Sequence, residues 1–574
     1  MKGTIVKIKF NAVVAKLIEP QREVRLLVSE LLSYRVADAE HTRAFKNSGW
    51  DGYSSFYQMR TDSFPAGFVR FLKKKLELRG IKVIARRAGE VFEPAGPENP
   101  VIDSFGEDPR YDYQMETVRR LVNLKAMIAQ VATGGGKSRI FKLACARINA
   151  PTLFVTTRKS LMYQMAAQME DQGRKIGILG DGTWKPELNG VNFAIVDTLS
   201  SRLEVPDFQK EVGIIVERIE SEIEELFNAV ASQKGLKISE NMLRTAPDAV
   251  KKMVSDLRDK ISQNVWKKYP DSEVQKEARV KTERKKARRE ETINFLREMV
   301  FVTLEEAHEV SGNGFYDILN QCHKAVFRLA LTATPFMKDE QEANMRLMAV
   351  TGPIGIKISE KMLIERGILA TPYFYYHEPE CPKGLYRGSG WQKAYKIGVV
   401  ESEPRNNFIV AETKRARQYG LPVMILVQQT AHGRLLKKQL NEAGVITDFI
   451  SGECDQKKRQ AALDKLKDGK LNCLIGSTIL DVGVDVPAVG MVILAGGGKA
   501  EVALRQRIGR GLRAKKNMPN VCFIIDFTDR HNAHLFKHSS MRRSIVAETP
   551  GFAENVLAKP FKFEDYDLKR GENA

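Results

Sequence analysis

Short, uninterrupted apolar runs recur along most of this chain, separated by stretches with helical spacing, and that alternation restricts the fold more than any other feature. The first group is "AMIAQVA", "TLFVTT", "FAIVD", "MVFVTL" and "AVFRLALTAT"; the second is "VMILVQ", "NCLIGS", "GMVILAG" and "VCFIIDF". A strand that faces water on one side alternates polar with apolar residues, whereas a continuous apolar run marks a strand buried on both faces, as in a parallel sheet covered by helices. Two α/β domains in tandem are expected, at about 105–350 and 351–545, with a C-terminal tail at 546–574.

At 574 residues the chain is too long for one hydrophobic core, and roughly three or four domains of about 100 to 200 residues are expected. Residues 1–97 read as a small α+β domain that closes in the Pro- and Gly-punctuated "EPAGPENP". Residues 203–297 read as a charged helical insertion in the first α/β domain. Ile215, Ile219, Ile223 and Leu226 recur there at helical spacing, and "KEARVKTERKKARR" is a basic helix. The first twenty residues interrupt their apolar positions with Lys7, Lys9 and Lys16, and no run approaches the ~20 apolar residues of a membrane span. The six cysteines contain no C-x-x-C pair, which argues against a zinc site or a disulfide framework and for a reducing, cytoplasmic setting. The net charge of +20 points to a polyanionic partner.

The stretch "VATGGGKS" (131–138) follows the apolar run "AMIAQ" and precedes the helical pattern "RIFKLACARI". A phosphate-cradling loop needs that context. Thr133, Gly134, Gly135 and Gly136 would turn backbone N–H groups inward, Lys137 would meet the β/γ-phosphates, and the Ser138 hydroxyl would ligate Mg²⁺. Val131 stands where the G-x-x-x-x-G-K-[ST] template has its first glycine; the plain alternative is a glycine-rich turn that contains GKS by chance. A nucleotide on Lys137 calls for an acid from a second strand, and "FVTLEEAH" (301–308) supplies two. Glu305 would serve the metal beside Ser138, Glu306 would orient or deprotonate the attacking water, and His308 would couple the site to neighbouring segments.

With the phosphate loop and the acidic strand in this order, the sequence resembles the superfamily 2 helicases from about 105 to 545. "TLFVTTRKSLMYQ" (152–164) looks like motif Ia, "LTATP" (331–335) like motif III, "GSTILDVGVDVP" (476–487) like motif V and "QRIGRGLR" (506–513) like motif VI. The resemblance implies two RecA-like parallel-sheet domains closing on ATP and Mg²⁺. It implies Arg510 and Arg513, on one helical face with Gln506, as arginine fingers, and Tyr113 and Gln114 as adenine contacts. It further implies that Thr157, Arg158, Thr478, Gly483 and Asp485 contact the nucleic-acid backbone or bridge it to the nucleotide. The family usually has Asp where Glu305 stands.

Within that superfamily, "SGWDGYSSFYQMRTDSFPAGFVRFLKKKL" (48–76) resembles the N-terminal domain of the bacteriophage UvsW-type DNA helicases, relatives of the XPB/RecG-like motors. In its helix Phe68, Phe71, Leu72 and Leu76 are expected to face inward, leaving Arg70, Lys73, Lys74 and Arg79 outward, with Arg70, Lys73 and Lys74 as phosphate contacts; the plain alternative is a solvated basic helix. The resemblance implies a monomeric ATP-dependent DNA helicase that unwinds, migrates or anneals branched DNA in replication, recombination or repair. Other replication or recombination proteins would be its partners, in a bacterial or phage-infected cytoplasm. An RNA helicase, and a DNA annealing or scaffolding protein with weak ATPase, are the alternatives.

Overall fold

The computed structural model describes residues 4–89, 92–103, 108–233, 246–307, 314–336, 341–477, 488–498, 504, 508–509, 511–515 and 518–570. Among them the first group of apolar runs forms a sheet of eight strands, in the order Thr183–Lys185, Ile176–Gly180, Val191–Ile195, Thr152–Thr156, Phe301–Glu305, Phe327–Thr332, Ala126–Val131 and Ile354–Ile358. Every pairing is parallel except that of the edge strand Thr183–Lys185. Every residue of Thr152–Thr156, Val191–Ile195, Phe301–Glu305 and Phe327–Thr332 is buried, as uninterrupted apolar runs require.

Helix Lys137–Ile148 is fastened to this sheet by its apolar stripe, Ile140, Phe141, Ala144 and Ile148. The Phe141 ring lies 4.7 Å from Phe154 and 6.1 Å from both Phe193 and Phe301, reaching side chains of three strands. Burying one such ring stabilises by about 1.5–3 kcal/mol. The same packing fixes where the helix begins, and therefore where Lys137 stands relative to the end of Phe301–Glu305.

The second group forms a wholly parallel sheet of seven described strands, ordered Thr447–Ile450, Cys473–Gly476, Val423–Leu426, Met491–Ile493, Val521–Phe527, Thr371–His377 and Val556–Leu557. Two boundaries differ from those expected. Ile354–Ile358 belongs to the first sheet, pairing with Ala126–Val131, so that sheet runs past residue 350. The stretch after 545 is no separate tail: Val556–Leu557 adds a strand, and Phe552, Phe561 and Phe563 are buried. Isolated phenylalanines between polar residues give no periodic signal, which is why the sequence did not reveal this closing segment.

The N-terminal residues form a mixed sheet ordered Ser63–Pro65, Val14–Ile18, Ile5–Phe10 and Lys82–Arg87. Helix Val69–Glu77 buries Val69, Leu72 and Leu76 on it, while Phe71 is half-buried. Met345 and Ala349, from helix Gln341–Thr351, complete this core. A β-carbon on Gly67 would lie 2.2 Å from the Met348 carbonyl oxygen, so only glycine allows that approach. "EPAGPENP" lies on the end of helix Lys137–Ile148, where Ala95 N–H donates to the Ile148 carbonyl and Gly96 N–H to that of Arg147.

Asp197–Glu298 is a compact unit of its own. Helices Phe208–Gln233, Asp248–Lys268 and Asp271–Glu298 bury Ile215, Ile219, Ile223, Val265, Val274 and Ala278 together. Ion pairs join the basic helix to Phe208–Gln233 in both directions: its Lys285 pairs with Glu211, and its Glu277 with Arg218 at 2.9 Å. Among the described residues no helix is long and apolar enough to cross a membrane.

Candidate nucleotide site

The loop 132–136 leaves the C-terminal end of strand Ala126–Val131 and enters helix Lys137–Ile148. Gly134 and Gly136 have φ of +86° and +80°, a backbone region that other residues enter only at a cost. At Gly135 a β-carbon would stand 2.7 Å from Val131 Cγ1. Val131, the departure from the glycine template, is thus a fully buried strand residue under the loop, and Gly135 accommodates it.

Glu305 ends its strand in register with Leu331, which in turn pairs with Ala129, so one strand separates the acid from the loop strand. Two strand spacings are about 10 Å, which a lysine at the head of the helix spans. Lys137 Nζ lies 2.7 Å from Glu306 Oε1 and 3.6 Å from Glu305 Oε1. Burial opposes the ammonium's charge, but Glu306 and Glu305 outweigh it and raise the lysine pKa. Burial also pushes the Glu305 carboxyl up, against the pull of Lys137. Glu306 sits at φ +48° with 8% exposure, a strained conformation for a side chain with a β-carbon.

Tyr113 and Gln114, expected at the adenine, clamp the loop from helix Asp112–Leu124. Tyr113 Oη donates to the Gly135 carbonyl at 2.9 Å, and Gln114 Nε2 to the same oxygen at 3.3 Å. Arg139 holds the other end of the Gln114 amide and pairs with Asp103. A β-carbon on Gly136 would lie 2.3 Å from Gln114 Nε2, so the loop and this helix are fitted to one another.

The segment after the second sheet's Met491–Ile493 returns to the same loop. A β-carbon on Gly509 would be 2.7 Å from Thr133 Cβ. Arg513 forms an antiparallel bridge with Leu369, whose Cδ2 would lie 2.7 Å from a β-carbon on Gly134. Thr157 and Arg158 lie half-buried between strand Thr152–Thr156 and helix Lys159–Glu170, and the charge of Arg158 is felt at both Lys137 and Glu305. His308, Thr478, Gly483, Asp485, Gln506 and Arg510 lie outside the described residues.

One expectation is corrected. Arg70 does not face outward: its Nη2 donates to the Ala126 carbonyl at 2.8 Å, tying the N-terminal helix to the first sheet, whereas Lys73 and Lys74 are exposed. The spacing of helix Val69–Glu77 put Arg70 beside the apolar stripe, and the neighbouring sheet turned that border position inward.

A buried polar network went unrecognised in the sequence. Arg405 Nη1 is 2.6 Å from Asp529, and Arg542 grips Asp526 through Nε and Nη2 at 2.9 and 2.8 Å. These arginines, with Tyr395, also donate to the carbonyls of Ala495, Gly498 and Gly496, bracing the glycine run from which 499–513 departs. The run Gly496-Gly497-Gly498 directly after a strand was the available signal.

Two sheets, one wholly and one largely parallel, with a glycine loop closed by a lysine and an acid pair on a second strand, define a P-loop protein with two RecA-like domains. Residues 108–337 match the family model "Type III restriction enzyme, res subunit", and 406–515 match "Helicase conserved C-terminal domain". The chain belongs to the superfamily 2 helicases. It is 28% identical over 255 residues to helicase 22 of Sulfolobus islandicus filamentous virus, covering 42% of this chain and 44% of that protein. It is 22% identical over 229 residues to ATP-dependent DNA helicase uvsW of Enterobacteria phage T4, covering 39% and 45%. The chain thus spans less than half the length of these relatives. The crystal structure of T4 UvsW matches 97% of this chain and 99% of that one at 15% identity, with a TM-score of 0.39, too low to argue from.

Proposed function

We propose that this chain is a DNA-stimulated ATPase that converts hydrolysis into movement along DNA and remodels branched DNA by unwinding, branch migration or annealing. The observation that carries the reading is Lys137, held between Glu306 and Glu305 at the mouth of a glycine loop against which Gly509 is seated. The DNA preference draws on the N-terminal resemblance and on the uvsW relative, which is named a DNA helicase.

In this reading the loop N–H groups and Lys137 bind the β/γ-phosphates, and Lys137 exchanges its carboxylate partners for phosphate oxygens. Glu306, released from the ammonium, orients the attacking water and accepts its proton. Glu305 fits a metal ligand: Oε2 is buried with no hydrogen-bond partner among the described residues, a hard oxygen on the acid that also meets Lys137, whose helix carries Ser138 at its second position. Mg²⁺, when bound, offsets negative charge on the phosphate oxygens. Tyr113 and Gln114 close the base side, and His308 and Gln506 link the site to the adjoining segments. Arg510 and Arg513 stabilise charge on the transferring phosphoryl group from the second lobe.

Thr157, Arg158, Thr478, Gly483 and Asp485 contact the DNA backbone or link it to the nucleotide, with Lys73 and Lys74 gripping phosphates further out. Backbone grip makes binding tolerant of sequence. The test is ATP turnover without polymer and with single-stranded DNA, forked DNA, four-way DNA and RNA. Stimulation strongest with forked or four-way DNA is expected. Preference for RNA would transfer the reading to an RNA helicase, and polymer-independent or absent turnover would favour an annealing or scaffolding protein.

A further inference from the structure

A cavity of about 290 Å³ lies where the N-terminal residues meet the first sheet, and four cations converge on it: Arg70, Arg87, Lys125 and Arg328. No carboxylate is among the described residues that line it. Two of the cations are satisfied by the backbone. Arg328, 3% exposed, donates to the carbonyls of Ala325, Val350, Leu319 and Cys322 at 2.9–3.1 Å, and Arg70 donates to those of Ala126 and Pro353.

Among the described residues, the other two face aromatic rings. The Arg87 guanidinium carbon lies 5.7 Å from the Phe10 ring, and Lys125 Nζ lies 4.8 Å from the Phe327 ring. Lys125 is held at φ +65°, outside the range side chains prefer. Gathering half-buried cations without an acid is costly, because each loses water and repels the rest; an oxyanion repays that cost with charge-assisted hydrogen bonds. The charge of Arg87 is felt at Arg328, which burial already disfavours as a cation.

We propose that this crevice binds a phosphate oxyanion, with Arg87 and Lys125 as its ligands and Arg70 and Arg328 as fixed positive walls. The volume admits a phosphate group with a small attachment and excludes a duplex. The same chemistry is offered by a free pyrophosphate-bearing molecule and by a phosphodiester of a nucleic-acid strand. Lys125 and Ala126 stand at the opposite end of strand Ala126–Val131 from the glycine loop, six residues or about 20 Å away. The site is therefore separate from the nucleotide pocket and does not depend on the reading of that pocket.

The experiment uses the full chain carrying Lys137→Ala, which weakens phosphate binding at the glycine loop equally in every arm. Inorganic pyrophosphate is titrated by calorimetry and a labelled single-stranded oligonucleotide by anisotropy, with and without Arg87→Gln or Lys125→Gln. Each variant is expected to weaken at least one probe about tenfold, while Lys185→Gln, an exposed cation on the far edge strand, leaves both unchanged. Loss confined to pyrophosphate assigns a free ligand, loss confined to the oligonucleotide assigns a strand phosphate, and loss of both assigns a site open to either. Should Arg87→Gln fail to fold, Lys125→Gln carries the test. Unchanged affinity for both probes, or an equal loss with Lys185→Gln, overturns the proposal.

Discussion

Gly509 is seated against Thr133 so closely that a β-carbon on it would lie 2.7 Å from Thr133 Cβ and 2.8 Å from Cγ2. One residue comes from the segment between Met491–Ile493 and Val521–Phe527 of the second sheet, the other from the glycine loop of the first. In the proposed function such an approach would let residues of one lobe act on a phosphate held by the other, and it makes an unremarkable glycine a sensitive position.

Gly509→Ala is therefore expected to lower ATP turnover by tenfold or more, since a misplacement of about 1 Å at a reacting centre costs on the order of 10²-fold. Fold stability should change by less than about 1 kcal/mol, the strain being local. Thr133→Gly removes the obstructing atoms, so the double variant should turn over no more slowly than Thr133→Gly alone. A simple sum of two independent losses in this cycle would contradict the contact.

Lys137→Ala should abolish turnover and leave salt-sensitive DNA binding in place, because the basic surface is separate from the loop. Removing one partner of a buried ion pair costs about 3–5 kcal/mol, and Glu305 and Glu306 would be left facing each other. Denaturant unfolding should record a loss of that order; equal stability would show that the carboxylates are held by other groups.

Glu305→Asp shortens the side chain by one methylene at a position whose Oε1 is already 3.6 Å from Lys137 Nζ. Turnover is expected to be preserved or raised, because the Ser138 side of the site is untouched. Complete loss in a steady-state assay would mean that the geometry is built around the longer acid.

His432 is fully buried, its Nε2 3.0 Å from Asn406 Oδ1, and burial together with the charge of Arg405 pushes its pKa from 6.5 down to about 3. The folded chain keeps this imidazole neutral while the unfolded chain protonates it, so between pH 6.5 and 3 the unfolded state binds more protons. The stability is complete above 6.5 and is lost as pH falls through that window, by about 1.4 kcal/mol per pH unit. His432→Gln should flatten the decline in unfolding free energy between pH 6.5 and 4 by that slope. An unchanged slope would show that His432 titrates normally.

Legibility in the sequence followed the strength of the periodic signal. The two sheets were readable because parallel strands are uninterrupted apolar runs, and the juxtaposition of Lys137 with Glu305 and Glu306 could be anticipated because the glycine loop before Lys137 and the two acids each follow such a run. Ile354–Ile358 was missed because "IGIKI" is short and contains a glycine and a lysine. Arg70 was misread because helical spacing fixes a face but says nothing of a neighbouring sheet that presents carbonyls to its edge. The Arg405–Asp529 and Arg542–Asp526 pairs join residues far apart in the chain, so no local pattern announced them.

The central claim is that phosphates bound at Lys137 are completed by arginines of the segment that Gly509 anchors. The most direct measurement is DNA-stimulated ATP turnover by Arg510→Ala, set beside its affinity for a non-hydrolysable ATP analogue. The account predicts a fall in kcat of about 10³-fold with analogue affinity within a few-fold of the parent. Turnover unchanged by the substitution would contradict it.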